Sequence, residues 1–317
     1  MEYSPERSGA EDSDLDGDGD GDGDADADGS PNLEEPISGG TASEPPLDCS
    51  GSFGEWEPLF EDPGWISQAL TPSPDGLEFF YARFALDTAL DNSGTRLPTV
   101  RTRATIESDF GEPTVLWNLT SACENARSGT ELAGLDLSFD GRRLYLACST
   151  FNFAADSTGP LLMFERAAAG ASFELPPTVV GEVGVSLGLS RDELHAFGTS
   201  LDPSTRVVVS YHRSSLVEPF GPAQIVPGGV ALSNPEPSPD ALSLWGAMTV
   251  QDGVASQLGV ARYNDETGAF DQPTRVGPAP PEGSSDISPA LSGDCRAMYI
   301  VRYTSSALHS QVMRARR

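Results

Sequence analysis

The sequence predicts an all-β fold: a single five-bladed β-propeller of four-stranded blades, preceded by a disordered acidic tail. Three observations predict it. A Ser-x-Asp signature recurs five times, an Arg-then-Phe signature follows each of the first four copies, and the two chain ends are complementary fragments of one blade. Self-similarity at a period near fifty residues is the mark of a propeller or solenoid.

The first signature is Ser-x-Asp with an aromatic five residues after the Asp. It occurs at Ser73-Pro74-Asp75 with Phe80, Ser138-Phe139-Asp140 with Tyr145, and Ser190-Arg191-Asp192 with Phe197. It recurs at Ser238-Pro239-Asp240 with Trp245 and Ser292-Gly293-Asp294 with Tyr299, so the serines are 65, 52, 48 and 54 residues apart. Short apolar runs before each Ser read as inner strands. The Ser-x-Asp-Gly segment reads as a tight turn, because Ser and Asp side chains bond nearby backbone N–H groups and Gly accepts positive φ. The aromatic falls on the second strand, where one ring per repeat would pack between neighbouring blades.

The second signature pairs Arg103 with Phe110, Arg166 with Phe173, Arg213 with Phe220, and Arg262 with Phe270. The Arg is expected to close the third strand and the Phe to open the fourth. The five arginines at third-strand ends are expected to form salt bridges or pack their stems between blades, not to make an anion-binding ring. The fifth repeat lacks its Phe segment, since its third strand, Gln311 to Arg316, runs into the C-terminus. An orphan segment, Phe53-Gly54-Glu55-Trp56, stands at the other end and matches Phe110-Gly111-Glu112. An N-terminal strand on the outer edge of the last blade would use both fragments and close the ring.

These repeats resemble the WD40-like propeller repeats of the TolB type, whose hallmark is Ser-Pro-Asp-Gly followed by an apolar-aromatic strand. Ser73-Pro74-Asp75-Gly76 matches in full, Ser238-Pro239-Asp240-Ala241 lacks the Gly, Ser138-Phe139-Asp140-Gly141 lacks the Pro, and the third and fifth copies keep only Ser and Asp. The resemblance covers essentially all of residues 53–317. It implies the propeller fold and little about function, since the family includes periplasmic protein-binding modules, domains attached to peptidases and surface proteins. Its members usually have six or more blades, against five here.

Residues 1–48 form the expected tail and 49–317 the propeller. The tail is poor in apolar residues, carries a charge of −15, and contains the run Asp16 to Asp22 of alternating Asp and Gly. Such a segment cannot bury enough surface to offset chain entropy. The rest of the chain carries −14, and every basic residue of the protein other than His is Arg. Both parts repel phosphate backbones and anionic lipid surfaces, so neither nucleic-acid binding nor membrane insertion is expected. Residues Met1 to Ala10 have no apolar h-region, so the sequence shows no signal peptide.

Four cysteines are present, at 49, 123, 148 and 295, with no C-x-x-C pair, which disfavours zinc. In the ring, Cys49 precedes the closing strand and Cys295 lies in a turn of the same blade, so a Cys49–Cys295 disulfide would lock the closure. Cys123 and Cys148 flank the inner strand of the second blade and could also pair; the alternative is four buried free thiols. Disulfides would place the protein in an oxidising, extracytoplasmic compartment.

The candidate chemistry is sparse. Asp24, Asp26, Asp28 and Glu35 formally match a calcium loop, yet a Gly-Asp run and Pro36 flank it in place of helices, and Pro31 stands where an apolar residue is usual. Asp136 and Glu236 share one repeat position, two residues before the Ser, and Asp286, Glu131 and Glu182 lie slightly earlier in their inner strands. Five-bladed propeller hydrolases use an Asp and a Glu at the channel mouth, so Asp136, Glu236 and Asp286 are the candidates for a carbohydrate-active hydrolase. The structural alternative is that they are rim charges or hydrogen-bond loop termini. His195, His212 and His309 are expected in different blades, away from the channel, and no nucleophile elbow accompanies them. No cofactor motif is present. Asn118-Leu119-Thr120 fits a glycosylation sequon. The expected function is a monomeric, non-enzymatic module that binds a protein or a glycan on one face of the ring, with the long segments Phe84 to Gly94 and Phe151 to Gly159 as places for contacts.

Overall fold

The computed structural model describes Cys49 and residues 52–85, 95–150, 158–200, 207–249, 255–304 and 309–317. The tail 1–48, with Asp24, Asp26, Asp28 and Glu35, lies outside the described residues, as do most of the two long segments.

Five sheets account for the described strands. Strand β1 (Glu57–Glu61) comes first but belongs to the last blade. Blade 1 holds β2 (Trp65–Pro72), β3 (Glu78–Ala85), β4 (Leu97–Thr102) and β5 (Thr114–Val115). Blade 2 holds β6 (Glu131–Leu137), β7 (Arg143–Ser149), β8 (Gly159–Glu165) and β9 (Thr178–Val183). Blade 3 holds β10 (Val185–Leu189), β11 (His195–Thr199), β12 (Val208–His212) and β13 (Gln224–Ile225). Blade 4 holds β14 (Ser233–Pro237), β15 (Ser243–Thr249) and β16 (Ser256–Asn264), with an outer strand split into β17 (Ala269–Phe270) and β18 (Thr274–Arg275). Blade 5 holds β19 (Ser284–Leu291), β20 (Ala297–Thr304) and β21 (His309–Arg316), with β1 antiparallel on its outer edge. The inner strands β2, β6, β10, β14 and β19 each touch their neighbours in turn, and β19 touches β2, so the ring is closed.

The Ser-x-Asp turn has the same internal bonding in every blade. The Ser hydroxyl donates to the Asp carboxylate at 2.6–2.7 Å in blades 1, 2, 3 and 5, and Ser238 bonds Asp240 likewise. The Ser oxygen in turn accepts the N–H five residues on, and the Asp the N–H two residues on. The residue after the Asp is always left-handed, with φ of 69° and 70° at Gly76 and Gly141. Glu193, Ala241 and Cys295 hold the same conformation at 60°, 55° and 57°, at a cost of about 1 kcal/mol each relative to Gly. Two of these exceptions have an evident return. Glu193 binds Arg143 and the Tyr145 hydroxyl of the preceding blade, and Cys295 bonds Cys49.

The aromatic of each second strand packs on the following blade. Phe80 joins Leu135 and Leu146 of blade 2, and Tyr145 joins Ala196 and Val209 of blade 3. Phe197 joins Leu244 of blade 4, Trp245 joins Met298 and Ile300 of blade 5, and Tyr299 joins Phe79 and Tyr81 of blade 1. The five apolar clusters therefore fill the five seams between blades.

The arginines bind the turns, a role beyond the expected salt bridges and packing. Nε of Arg103, Arg166 and Arg213 donates to the carbonyl of Gly76, Gly141 and Glu193 at 2.7–2.8 Å. Each guanidinium lies over the Phe seven residues later, at 4.5–4.9 Å from the ring centre. Arg166 also pairs with Glu78 of blade 1 at 2.5 Å. Two expectations are corrected. In blade 4 the equivalent residue is Tyr263 rather than Arg262, since its N–H bonds Leu242 as Arg213 bonds Leu194, and its ring meets Phe270 edge-on at 5.3 Å. In blades 1 to 3 the Phe does not open the fourth strand: the N–H of the next residue, as at Gly111, Glu174 and Gly221, bonds back to the third strand and pairing resumes three or four residues later, whereas in blade 4 Phe270 lies in β17 and pairs with Tyr263, as expected.

In the fifth blade the matching pair comes from opposite chain ends. Arg317 stacks over Phe53 at 4.8 Å, and Gly54 donates to the Arg316 carbonyl at 2.8 Å. Both expected disulfides are present, Cys49–Cys295 and Cys123–Cys148, with Cα separations of 5.3 and 5.4 Å. Replacing Cys49 and Cys295 together by Ser releases a chain loop spanning almost the whole propeller. We expect a loss of about 5 kcal/mol in the chain-entropy treatment of so long a loop, read as a lower urea midpoint under non-reducing conditions; an unchanged midpoint would show that the bond contributes nothing to closure.

Candidate functional site: the axial channel and the face of blades 1 and 2

One end of the channel is built by the residues flanking each Ser. Its walls are Thr71, Asp136, Leu189, Glu236 and Leu291, one from each inner strand. The position two before the Ser reaches the following blade. Thr71 Oγ1 accepts the Leu137 N–H at 3.4 Å, Asp136 Oδ2 accepts the Leu189 N–H at 2.7 Å, and Glu236 Oε1 accepts the Leu291 N–H at 3.3 Å. At the two remaining seams the receiving residue is Pro237 or Pro72, which has no N–H. There the position two before the Ser is Gly188 or Ala290, with no acceptor. Every N–H available in this ring thus meets a side-chain oxygen, and no oxygen is placed where the N–H is missing. A buried N–H left unpaired would cost about 1–3 kcal/mol.

Asp136 and Glu236 share this cavity, whereas Asp286 does not join them. It lies at the other end of its strand and forms a two-pronged pair with Arg302 at 2.8 and 3.0 Å. Glu131 begins β6, and Glu182 is corrected from an inner strand to the outer strand β9, where it pairs with the exposed Arg127. Burial raises the Asp136 carboxyl to about 7, against the pull of its hydrogen bonds. Burial, and then the Asp136 charge, raises Glu236 as well.

Above these carboxyls the three departures from Ser-Pro-Asp-Gly meet. Phe139 reaches from blade 2 to Gly293 of blade 5, where any Cβ would collide with its ring. The Arg191 guanidinium of blade 3 stacks on the same ring at 4.0 Å. The cavity they line together with the two carboxyls is half-open and about 60 Å³ in volume, room for a few waters. No signal in the Ser-x-Asp pattern marked Phe139 as a plug, although the co-occurring Gly293 is the small residue that such a plug needs.

The opposite face, where inner strands begin, carries different chemistry over blades 1 and 2. A short helix, Ala122–Ala126, is fixed to β7 by Cys123–Cys148. The turn before it is tied to blade 1 by Leu116 N–H to the Pro98 carbonyl, 2.9 Å, and presents Trp117 with 70% exposure. Asn118 of the sequon is exposed beside it. Nearby in β3 and before β4, Arg83 stacks over Trp65 at 4.4 Å and Arg96 over Phe84 at 5.2 Å. The Arg83 Nε and Glu131 Oε2 atoms are buried without a hydrogen-bond partner among the described residues. His195 and His212 are corrected as well: they stand opposite one another in blade 3. Among the described residues no three His, Cys, Asp or Glu side chains are grouped to hold a metal ion, and no helix is long and apolar enough to cross a membrane.

Raised carboxyl pKa values make the native state hold protons that the unfolded chain has released. Stability from this pair is therefore greatest near pH 4 and falls as pH rises towards 7. Glu236→Gln keeps the acceptor for Leu291 and removes one of two adjacent charges. We expect it to raise the melting temperature at pH 8 and to flatten the decline between pH 5 and 8. A lower melting temperature at pH 8 would mean that the ionised Glu236 is itself stabilising.

No family model matches the chain, and no curated protein matches it either. Solved structures do share its fold. They include a GH43_1 enzyme from Xanthomonas citri solved with xylotriose, 11% identical with a TM-score of 0.55, covering 82% of this chain and 89% of that one. TolB from Acinetobacter baumannii is 12% identical with a TM-score of 0.40, covering 80% of this chain and 54% of TolB, so the chain spans about half of TolB's length. The Cps50 (Swd1) β-propeller domain of Myceliophteria thermophila is 8% identical with a TM-score of 0.35, covering 78% and 83%. At such identities the likeness is one of fold: the chain is a β-propeller.

Proposed function

We propose that the chain is a non-enzymatic binding module that recognises a protein partner on the face carrying Trp117, in an extracytoplasmic compartment. The exposed Trp117 is the observation that carries this reading. It is a large apolar ring held in water by a disulfide-anchored turn, beside Arg–aromatic stacks. Trp and Arg supply much of the binding energy at protein interfaces. A rigid support keeps the entropy cost of ordering low. A glycan is the second reading, favoured because a free indole face suits stacking on a sugar ring. The two disulfides support the compartment, and a monomer suits a closed ring whose outer edge strands are short.

The hydrolase reading has less support. A glycosidase needs two carboxyls flanking a substrate in an open pocket. Here Asp136 and Glu236 are engaged with backbone N–H groups beneath Phe139, and Asp286 is paired with Arg302. The test is a screen of the purified protein against secreted proteins and a glycan array, repeated with Trp117→Ala. We expect a ligand whose affinity falls by about tenfold or more in the variant, the scale of a hot-spot residue. Binding indifferent to Trp117, or glycoside cleavage abolished by Glu236→Gln, would overturn the reading.

A further inference from the structure

We propose that His195 and His212 form a binding site for a single divalent transition-metal ion on the sheet of blade 3. The two residues are the first directly opposed pair of β11 and β12. Opposed residues of an antiparallel pair share one face, with Cβ atoms about 4.5–5.5 Å apart. Their rings lie side by side, with centroids 4.8 Å apart and planes tilted by 45°. That spacing lets one nitrogen of each ring reach a common ion.

The second observation is that both rings are otherwise idle. Neither imidazole hydrogen-bonds to a described residue, and His212 is exposed. Their neighbours in the repeat explain why. The position five after the Ser carries a cross-seam ion pair in blades 1 and 2, through Glu78 with Arg166 and Arg143 with Glu193. His195 occupies that position in blade 3, but blade 4 offers Ala241 and Tyr263 where blade 3 has Glu193 and Arg213. The imidazole is left without a charged partner across the seam.

Two imidazoles select borderline ions such as Cu2+, Ni2+ and Zn2+ over Ca2+ and Mg2+. Water would complete the coordination, since no third His, Cys, Asp or Glu among the described residues groups with the pair. An ion held there would tie β11 to β12 and stabilise the native state by mass action.

The test titrates the full chain with Ni2+ in excess Ca2+, which occupies the carboxylates of the acidic tail. Calorimetry and thermal unfolding give the readout, on the wild type and on His195→Gln, His212→Gln and His309→Gln. We expect one Ni2+ per chain and a rise in melting temperature, unchanged in His309→Gln and lost in the other two. His212 is exposed, so its variant stays informative even if His195→Gln unfolds. Absence of saturable Ni2+ binding, or binding and stabilisation that survive His212→Gln, would overturn the proposal.

Discussion

Closure of the ring is the constraint on which the rest of the molecule depends. A propeller blade buries its faces only against two neighbours, so an open first or last blade would leave an apolar seam in water. Here the seam between blades 5 and 1 is filled by Tyr299, Phe79 and Tyr81, as the other four seams are filled by their own aromatics. Strand β1, from the other end of the chain, completes blade 5 at this seam, where Leu59 and Phe60 pack against its aromatics. Three devices hold it: the β1–β21 ladder, Arg317 stacked on Phe53, and Cys49 bonded to Cys295. The same Arg-over-Phe contact is made locally in blades 1 to 3, so the closing blade uses the repeat's own interaction across the break.

Much of this was legible in the sequence for a physical reason. The Ser-x-Asp turn needs its side chains for backbone bonding, so it cannot drift far without breaking, and the seam aromatics need a fixed offset from it. The orphan Phe53 segment and the truncated fifth repeat were therefore readable as two halves of one blade. Where the pattern failed, a local substitution had changed the spacing by one residue. Tyr263 took the place of Arg in blade 4, and Arg262 beside it supplied a misleading match. Glu182 was misplaced because β9 runs on to Val183, so the strand boundary was the error. The pairing of His195 with His212 was missed because their separation of seventeen residues spans a loop whose length hides a direct cross-strand contact.

The channel was harder to read, since it depends on what lies across the ring rather than along the chain. Asp136 and Glu236 were picked out as one repeat position, but the repeat favoured a structural or rim role over catalysis without saying which structural role. What separates the two is the residue one place further on in the next blade. Leu189 and Leu291 have an N–H to give; Pro237 and Pro72 do not. The acceptors follow the donors around the ring, a correlation that a structural role demands and that catalysis gives no reason to expect.

Plugging and bonding act together on the same groups. Phe139 narrows the mouth of the cavity, and the burial of Asp136 and Glu236 raises the cost of charging them and strengthens the hydrogen bonds they accept. A pair of carboxyls in such a site holds protons near neutrality, which in another setting would mark an acid and a base at work. Access is the difference: perturbed carboxyls become catalytic only where a substrate can reach them, and the ring here keeps its deepest polar groups for joining one blade to the next. Recognition is then left to groups outside the channel, and the face that presents Trp117 has the aromatic and guanidinium surface to perform it.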